Sequence, residues 1–345
     1  MLQTLTLRRP DDWHLHVRDG AALASVLPFT AAQFARAVIM PNLKPPVTTV
    51  PAAARYRENI LAAVPQGLKF EPLMSLYLTD NTPADEIKRA KASGFIVGAK
   101  LYPSGATTNS DAGVTAIENI FPALAAMEEV GLVFQVHGEV THSEVDVFDR
   151  ERVFIDQVMV PVRARFPKLR IVFEHVTTRE AVQFVKSHSH VGATVTPQHL
   201  LLNRNALFQG GIRPHNYCLP VLKREHDRVA LVEAATSDDA RFFLGTDSAP
   251  HARNTKETAC GCAGIFSAHA AIELYAEAFE QAGQLKRLEA FASERGPDFY
   301  GLPRNSETIT LERKAWQPPA SYAFADSEIV PFRAGETIEW KLRES

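Results

Sequence analysis

The chain has 345 residues, 46% hydrophobic and 22% charged, which is the balance of a globular protein with a sizeable core rather than of a disordered or fibrous one. A formal net charge of -3, with 37 Lys and Arg scattered singly, gives no basic stripe for a phosphate backbone, so nucleic acid is not an expected partner. No apolar run approaches the roughly 20 residues of a membrane helix, and Met1 to Pro10 lacks a signal peptide's layout, which makes the cytoplasm the expected location.

Strand-like apolar runs alternate with helical periodicity along the chain, and no Gly, Ser or Pro linker divides it. Asp12 to Val17 and Ala37 to Pro41 come first, and the amphipathic stretch Ala52 to Val64 follows. Glu71 to Leu78, the helix Ala84 to Ser93 and the run Gly94 to Leu101 come next. After the helix Ala116 to Val130 lies Leu132 to His137, and after the helix Arg152 to Phe166 lies Arg170 to His175. Val191 to Thr196, the helix Arg228 to Ala235 and the run Arg241 to Gly245 complete the set.

From His16 to Asp247 seven steps cover 231 residues, or 33 per step, a comfortable length for one βα unit. Eight units without interruption predict a (β/α)8 TIM-type barrel over 1–345, with long loops and a covering C-terminal extension at about 311–345. The competing fold is an open doubly wound sheet, which would be expected to carry a G-x-G-x-x-G turn after an early strand; none occurs.

Catalytic groups of a barrel come from the C-terminal ends of its strands, so what ends each run is informative. Run one closes with His14-Leu15-His16, run four with Lys100, run five with His137 and run six with His175, while Asp247 follows run eight. Residues i and i+2 of a strand share a face, so His14 and His16 can bind one ion together. A single histidine at a strand end is commonly a hydrogen-bonded core residue, and His-x-His pairs also occur on exposed edges. The convergence of imidazole and carboxylate candidates on equivalent ends of separate runs favours a metal site. His188, His190, His226 and His269 fall elsewhere and read as structural or solvated. Cys218, Cys260 and Cys262 are too few and wrongly spaced for a zinc knuckle and read as reduced and structural.

Lys100 lies among apolar neighbours, where an ammonium is costly and its pKa falls. It either snorkels to solvent or a carboxylate or, beside two metal ions, becomes a neutral amine able to take up carbon dioxide as a metal-bridging carbamate. The segment Tyr102 to Gly113 is small, polar and poor in anchors, as suits a lid or a merely solvated loop.

The segments Asp12-Trp-His-Leu-His-Val-Arg-Asp-Gly20, Met40-Pro-Asn-Leu43, Gly98-Ala-Lys-Leu-Tyr-Pro103, Val136-His-Gly-Glu139, Phe173-Glu-His-Val176, Leu244-Gly-Thr-Asp-Ser-Ala-Pro-His251 and Cys260-Gly-Cys-Ala-Gly264 resemble the dihydroorotase family of the amidohydrolase superfamily, in its bacterial form without a fused partner. The resemblance runs from about Leu7 to the segment Val330 to Thr337. It implies two Zn2+ per subunit: His14, His16 and Asp247 on the more buried ion, His137 and His175 on the more exposed one, and N6-carboxylated Lys100 and a hydroxide bridging both. It also implies Arg18, Asn42 and His251 on the substrate carboxylate, the backbone of Leu219 and Ala263 on the pyrimidine ring, Thr107 and Thr108 on a closing lid, Asp247 as the proton carrier, and a homodimer.

Arg18 lies two residues past His16 and has the planar fork that matches a carboxylate, although a surface salt bridge is the plainer role for an arginine. The expected reaction is the reversible cyclisation of N-carbamoyl-L-aspartate to L-dihydroorotate and water, in pyrimidine (UMP) biosynthesis. A dihydropyrimidinase or hydantoinase would keep every metal ligand but would have no use for Arg18 and Asn42. A noncatalytic metal-binding assembly protein is the rival from another class. No ligand of the family pattern is missing, which argues against an inactive homologue.

Overall fold

A computed structural model of the protein describes residues 3–343. Its strands are β1 (Thr4–Arg8), β2 (Asp11–Leu15), β3 (Arg36–Ile39), β4 (Glu71–Tyr77), β5 (Ile96–Leu101), β6 (Val133–Val136), β7 (Ile171–Phe173), β8 (Val191–Val195), β9 (Phe242–Leu244), β10 (Thr308–Trp316), β11 (Tyr322–Phe324), β12 (Ser327–Ile329) and β13 (Ile338–Leu342). Strands β2 to β9 form one eight-stranded parallel sheet in sequential order. Its ends meet: Leu15 bridges Ser248 in parallel, the Asp247 N–H donates to His14 O at 2.9 Å, and the His16 N–H donates to Ser248 O at 3.1 Å. The expected (β/α)8 barrel is the observed fold.

Every residue of β2, β3, β6, β7, β8 and β9 is buried, because one face fills the barrel and the other packs under the helices. Most of these strands therefore read as largely apolar, with buried exceptions such as Asp12, Arg36 and Gln135, and all eight expected runs coincide with strands to within a few residues. Trp13, Val38, Leu73, Val133, Val172 and Phe243 fill the lower interior with Tyr300, whose ring stacks on Trp13 at 4.4 Å. Above them Ser75 donates to Gln135 Oε1 at 2.6 Å and Gln135 Nε2 donates to the Tyr300 hydroxyl at 2.9 Å. A Cβ on Gly98 would lie 2.7 Å from the Gln135 side chain, so Gly98 faces this layer and Lys100, two residues on, faces the space above it.

The helix expected over Arg152 to Phe166 is the succession Arg150–Phe154, Ile155–Met159 and Val160–Arg165, with a wide π-type turn in the middle. Pro161 lacks the N–H that a regular turn would require there. Helices Gly20–Gln33, Arg179–Ser187 and Ala271–Gln281 are additional to the expected set. The first carries Pro28 in its interior, a breaker signal, and the last is buried on nearly every side because β13 covers even its Glu273, Glu277 and Glu280 face.

The C-terminal extension is a structural partner of the N-terminus. Strand β10 pairs antiparallel with β1 on one side and β13 on the other, with Leu5 opposite Leu311 and Leu311 opposite Leu342. Leu7, Leu311, Ile338 and Trp340 are buried by this sheet.

Gly296 is where the barrel floor has least slack, since a Cβ there would lie 1.9 Å from Trp13 Nε1. Gly296→Ala is expected to cost about 1–3 kcal/mol by overpacking, read as a lower thermal midpoint. An unchanged midpoint would mean that Trp13 can move aside freely.

Candidate active site

The barrel seam and the candidate site are the same place. His14 is the penultimate residue of β2 and His16 follows that strand, Lys100 is the penultimate residue of β5, His137 follows β6, His175 lies two residues past β7 and Asp247 three past β9. His14 Nε2 lies 3.3 Å from His16 Nε2 and 3.3 Å from Asp247 Oδ1, and His16 Nε2 lies 3.1 Å from the same oxygen. One donor atom each from His14, His175 and Asp247 fall within 4.8 Å of one another. The rings of His16, His14, His175 and His137 form a row with successive centroids 5.3, 5.0 and 4.9 Å apart. His137, at the far end, lies outside the three-donor cluster.

Carboxylates hold the outer edges of two of these rings. Glu174 Oε2 lies 2.6 Å from His14 Nδ1 and accepts the Thr194 hydroxyl at 2.9 Å, while Thr194 Oγ1 accepts the His175 N–H at 2.7 Å. Glu139 Oε2 lies 2.9 Å from His137 Nε2. A ring nitrogen facing a carboxylate carries the proton, which leaves the other nitrogen's lone pair for a metal.

Lys100 Nζ is fully buried without a hydrogen-bond partner, as is His175 Nδ1. Burial pulls the Lys100 ammonium down to about 8 against the pull of Glu174 and Asp247. Burial would raise the Asp247 carboxyl, but His14 and His16 beside it hold it well below the usual carboxylate range. Orphaned nitrogen donors converging on a buried carboxylate are what a divalent N/O-liganded ion requires, so these residues fit a metal centre. Arg18, His175 and Asp247 also have φ of +60°, +39° and +45°, a left-handed backbone rare outside glycine. Such strain past three strand ends around one barrel mouth points to a functional site.

On the solvent side Arg18 Nε donates to Pro250 O at 2.9 Å, and Arg18 Nη2 donates to His251 Nε2 at 3.0 Å. That bond requires a neutral His251, and burial, reinforced by Arg18 and Lys256, pulls its pKa down to about 2. The 103–113 loop lies over the mouth. Asn42 Nδ2 donates to Thr108 O at 3.0 Å, Asn109 Nδ2 donates to Asn42 O at 2.8 Å, Tyr77 donates to Asn109 O at 3.2 Å and the Thr108 hydroxyl donates to Ala263 O at 3.4 Å. Asn42 is thus engaged by the lid as well as placed at the mouth. Thr107 is half-buried beside it, its N–H on Ser110 Oγ at 3.0 Å. Leu219 is half-buried between the buried Cys218 and Pro220.

His188, His190 and His226 lie outside the site, and His269 is buried elsewhere, against Phe266, Tyr322 and Trp316. The three cysteines are free. Sequence reasoning missed Glu174, Glu139, Thr194 and the unpartnered Tyr102 hydroxyl. Adjacency was the available signal for the two glutamates, since each lies one or two residues from a site histidine.

An eight-stranded parallel barrel with buried imidazole, amine and carboxylate donors at its strand ends is the architecture of a metal-dependent hydrolase. The model of the amidohydrolase family matches residues 12–317. A dihydroorotase from Aromatoleum aromaticum (strain DSM 19018 / LMG 30748 / EbN1) is 68% identical over 343 residues, covering 99% of this chain and 100% of that one. The crystal structure of a Campylobacter jejuni dihydroorotase matches with a TM-score of 0.91 at 35% identity, over 100% of this chain and 99% of that one. The Saccharomyces cerevisiae dihydroorotase in complex with 5-fluoroorotic acid matches with a TM-score of 0.92 at 34% identity, over 99% of both chains. The chain belongs to the amidohydrolase family and, within it, to the dihydroorotases, which are cyclic amide hydrolases.

Because Glu174 orients His14, Glu174→Gln is expected to weaken metal affinity by about 10- to 100-fold while preserving side-chain size. Chelator competition measures this. Unchanged affinity would reduce Glu174 to a packing role.

Proposed function

We propose that the chain catalyses the reversible cyclisation of N-carbamoyl-L-aspartate to L-dihydroorotate and water in pyrimidine biosynthesis, with two zinc ions. The observation that carries this reading is that the Arg18–His251 pair, suited to a carboxylate, and the buried donor cluster open on the same barrel mouth. His14, His16 and Asp247 would hold one ion and His137 and His175 the other. Lys100, carboxylated on Nζ, would be shared: its neutral amine forms an N–C bond to carbon dioxide and releases one proton. Bound zinc would supply Lewis acidity toward the amide carbonyl and lower the pKa of a bound water to about 7.

The chain's own groups do the rest. Arg18, Asn42 and His251 hold the free carboxylate, and the backbone of Leu219 and Ala263 reads the ring. Thr107 and Thr108 close the lid and exclude water. In ring opening Asp247 accepts a proton from the attacking water and delivers it to the leaving ring nitrogen; in ring closure it takes that proton from the ureido nitrogen. The barrel and its extension act as one domain. The motif resemblance carries the rest of the reading, a cytoplasmic homodimer acting on small molecules.

The direct test is a zinc-dependent absorbance change on dihydroorotate, with dihydrouracil as the ring that lacks a carboxylate. Activity on dihydrouracil alone would assign the chain to the dihydropyrimidinases instead. No turnover of either ring would leave a metal-binding protein without this chemistry.

Lys100→Ala removes the shared anion, so it is expected to lose most activity and at least one metal ion. Two metals with near-normal turnover would sink the carbamate.

Arg18→Met is expected to keep its metal content and to raise the barrier for dihydroorotate by about 2–5 kcal/mol, the cost of leaving a buried charge unpaired. Dihydrouracil should be processed no worse than by the unaltered protein. Equal slowing of both rings would make Arg18 a support of the metal site rather than a reader of substrate.

A further inference from the structure

Lys256 ends the short turn Arg253–Lys256 and is 4% exposed. Its ammonium faces backbone carbonyls: Gly264 O at 2.6 Å, Cys262 O at 2.8 Å and Tyr217 O at 3.1 Å. All three N–H donors are used on the main chain. Burial pulls this ammonium down to about 8, and its charged or titratable surroundings are the Cys218 and Cys262 thiols, Arg18 and His251.

The position of these carbonyls matters more than their number. Two of them flank Ala263, and the third belongs to the segment that leads into Leu219. A trans peptide is planar, so holding Cys262 O toward Lys256 turns the Ala263 N–H to the opposite side, away from the lysine. The same constraint at Tyr217 O sets the Cys218 N–H. The two segments are also joined directly, with the Gly264 N–H on Tyr217 O at 3.0 Å, and the Cys262 N–H is tied back to Thr255 O at 3.0 Å. Gly264, at φ +153°, has Ala249 O 2.5 Å and His251 Cδ2 2.8 Å from where a Cβ would stand. The loop is thus pressed against the segment that carries His251, and on its other side Ala263 O receives the lid's Thr108 hydroxyl.

We propose that Lys256 is a positioning residue for ring recognition: by gathering the carbonyls of Tyr217, Cys262 and Gly264 it sets the direction of the main-chain groups of the Leu219 and Ala263 segments toward the substrate ring. The assignment rests on the function proposed above. A tetrahedral ammonium is the group that can serve three convergent carbonyls, and a planar guanidinium fork does not match them. Lys256 lies outside the metal cluster, so it acts on substrate binding through the backbone and leaves the proton-carrying machinery in place.

The test compares the unaltered protein, Lys256→Met and Lys256→Gln, all zinc-loaded, in steady-state kinetics on dihydroorotate alongside metal content and thermal midpoint. In Lys256→Met KM should rise by about tenfold or more while kcat stays within about threefold and metal content is unchanged, the pattern of lost binding rather than lost chemistry. Lys256→Gln, which keeps amide donors, should recover part of the KM. An unchanged KM, or a fall in kcat and metal content without a selective rise in KM, overturns the assignment. Should Lys256→Met fail to fold, Lys256→Gln decides: a raised KM with kcat and metal retained supports the assignment, and an unchanged KM refutes it. Turnover by the unaltered protein tests the underlying reading by itself, so normal turnover with insensitive variants rejects Lys256 alone.

Discussion

One buried carboxylate fastens the first barrel strand to the last. Asp12 accepts the His14 N–H at 3.1 Å on its own strand, and from beyond β9 it accepts the Thr246 N–H at 2.9 Å and the Thr246 hydroxyl at 2.6 Å. Thr246 Oγ1 in turn receives the Ser248 N–H at 3.0 Å. Closure at this seam brings His14 and Asp247 within 3.3 Å of each other, although 232 residues separate them in the chain. The left-handed backbone at Asp247 is held by the same contacts, because its N–H must reach His14 O to complete the barrel. Fold and site are therefore a single construction: opening the seam would separate the donors before any of them was altered.

The centre's electrostatics follow from what the barrel buries there. Four imidazoles and one amine would ordinarily be poorly accommodated in so buried a space, and Lys100 Nζ and His175 Nδ1 find no hydrogen-bond partner among the protein's own groups. Anionic partners stand one layer out, Glu174 behind His14 and Glu139 beside His137, and each fixes a ring rather than filling the centre. The turn just past β7 lets two consecutive residues serve the same ring. With a left-handed backbone at His175, Glu174 supports His14 of β2 across the two intervening strands while His175 packs its own ring against His14 and joins the cluster.

Much of this was legible in the sequence, and the parts that were not share a cause. Strands buried on both faces leave mostly apolar runs with polar residues at their ends, so the barrel and six candidate donor residues could be read from Asp12 to Asp247. What escaped notice depends on partners far apart in the chain. Thr4–Arg8 is too short to announce a strand, and its partner Thr308–Trp316 lies some 300 residues away. Gly20–Gln33 hides behind Pro28. Glu174 passes for a neutral neighbour of His175 until the fold places it against His14. Lys256 looks like any lysine on a polar turn, because its three acceptors are main-chain carbonyls, which leave no trace in residue identity.

The mouth differs from the centre in the kind of force that organises it. The candidate metal donors stand on the barrel strands or within three residues of their ends, whereas the groups at the mouth are held by a few hydrogen bonds between loops. Among the described residues the 103–113 loop is attached across the mouth by Asn42 to Thr108, Asn109 to Asn42, Tyr77 to Asn109 and Thr108 to Ala263. Each is worth about 0.5–1.5 kcal/mol net, so exchanging one or two of them for bonds to a ligand is enough to shift the lid's population. Asn42 stands on both sides of that exchange, since the amide that holds Thr108 is the one a carboxylate would claim. Under the proposed function, a carboxylate arriving at Arg18 would compete for the bond that holds Thr108, which would tie the position of the 103–113 loop to the one substrate feature that the donor cluster does not read.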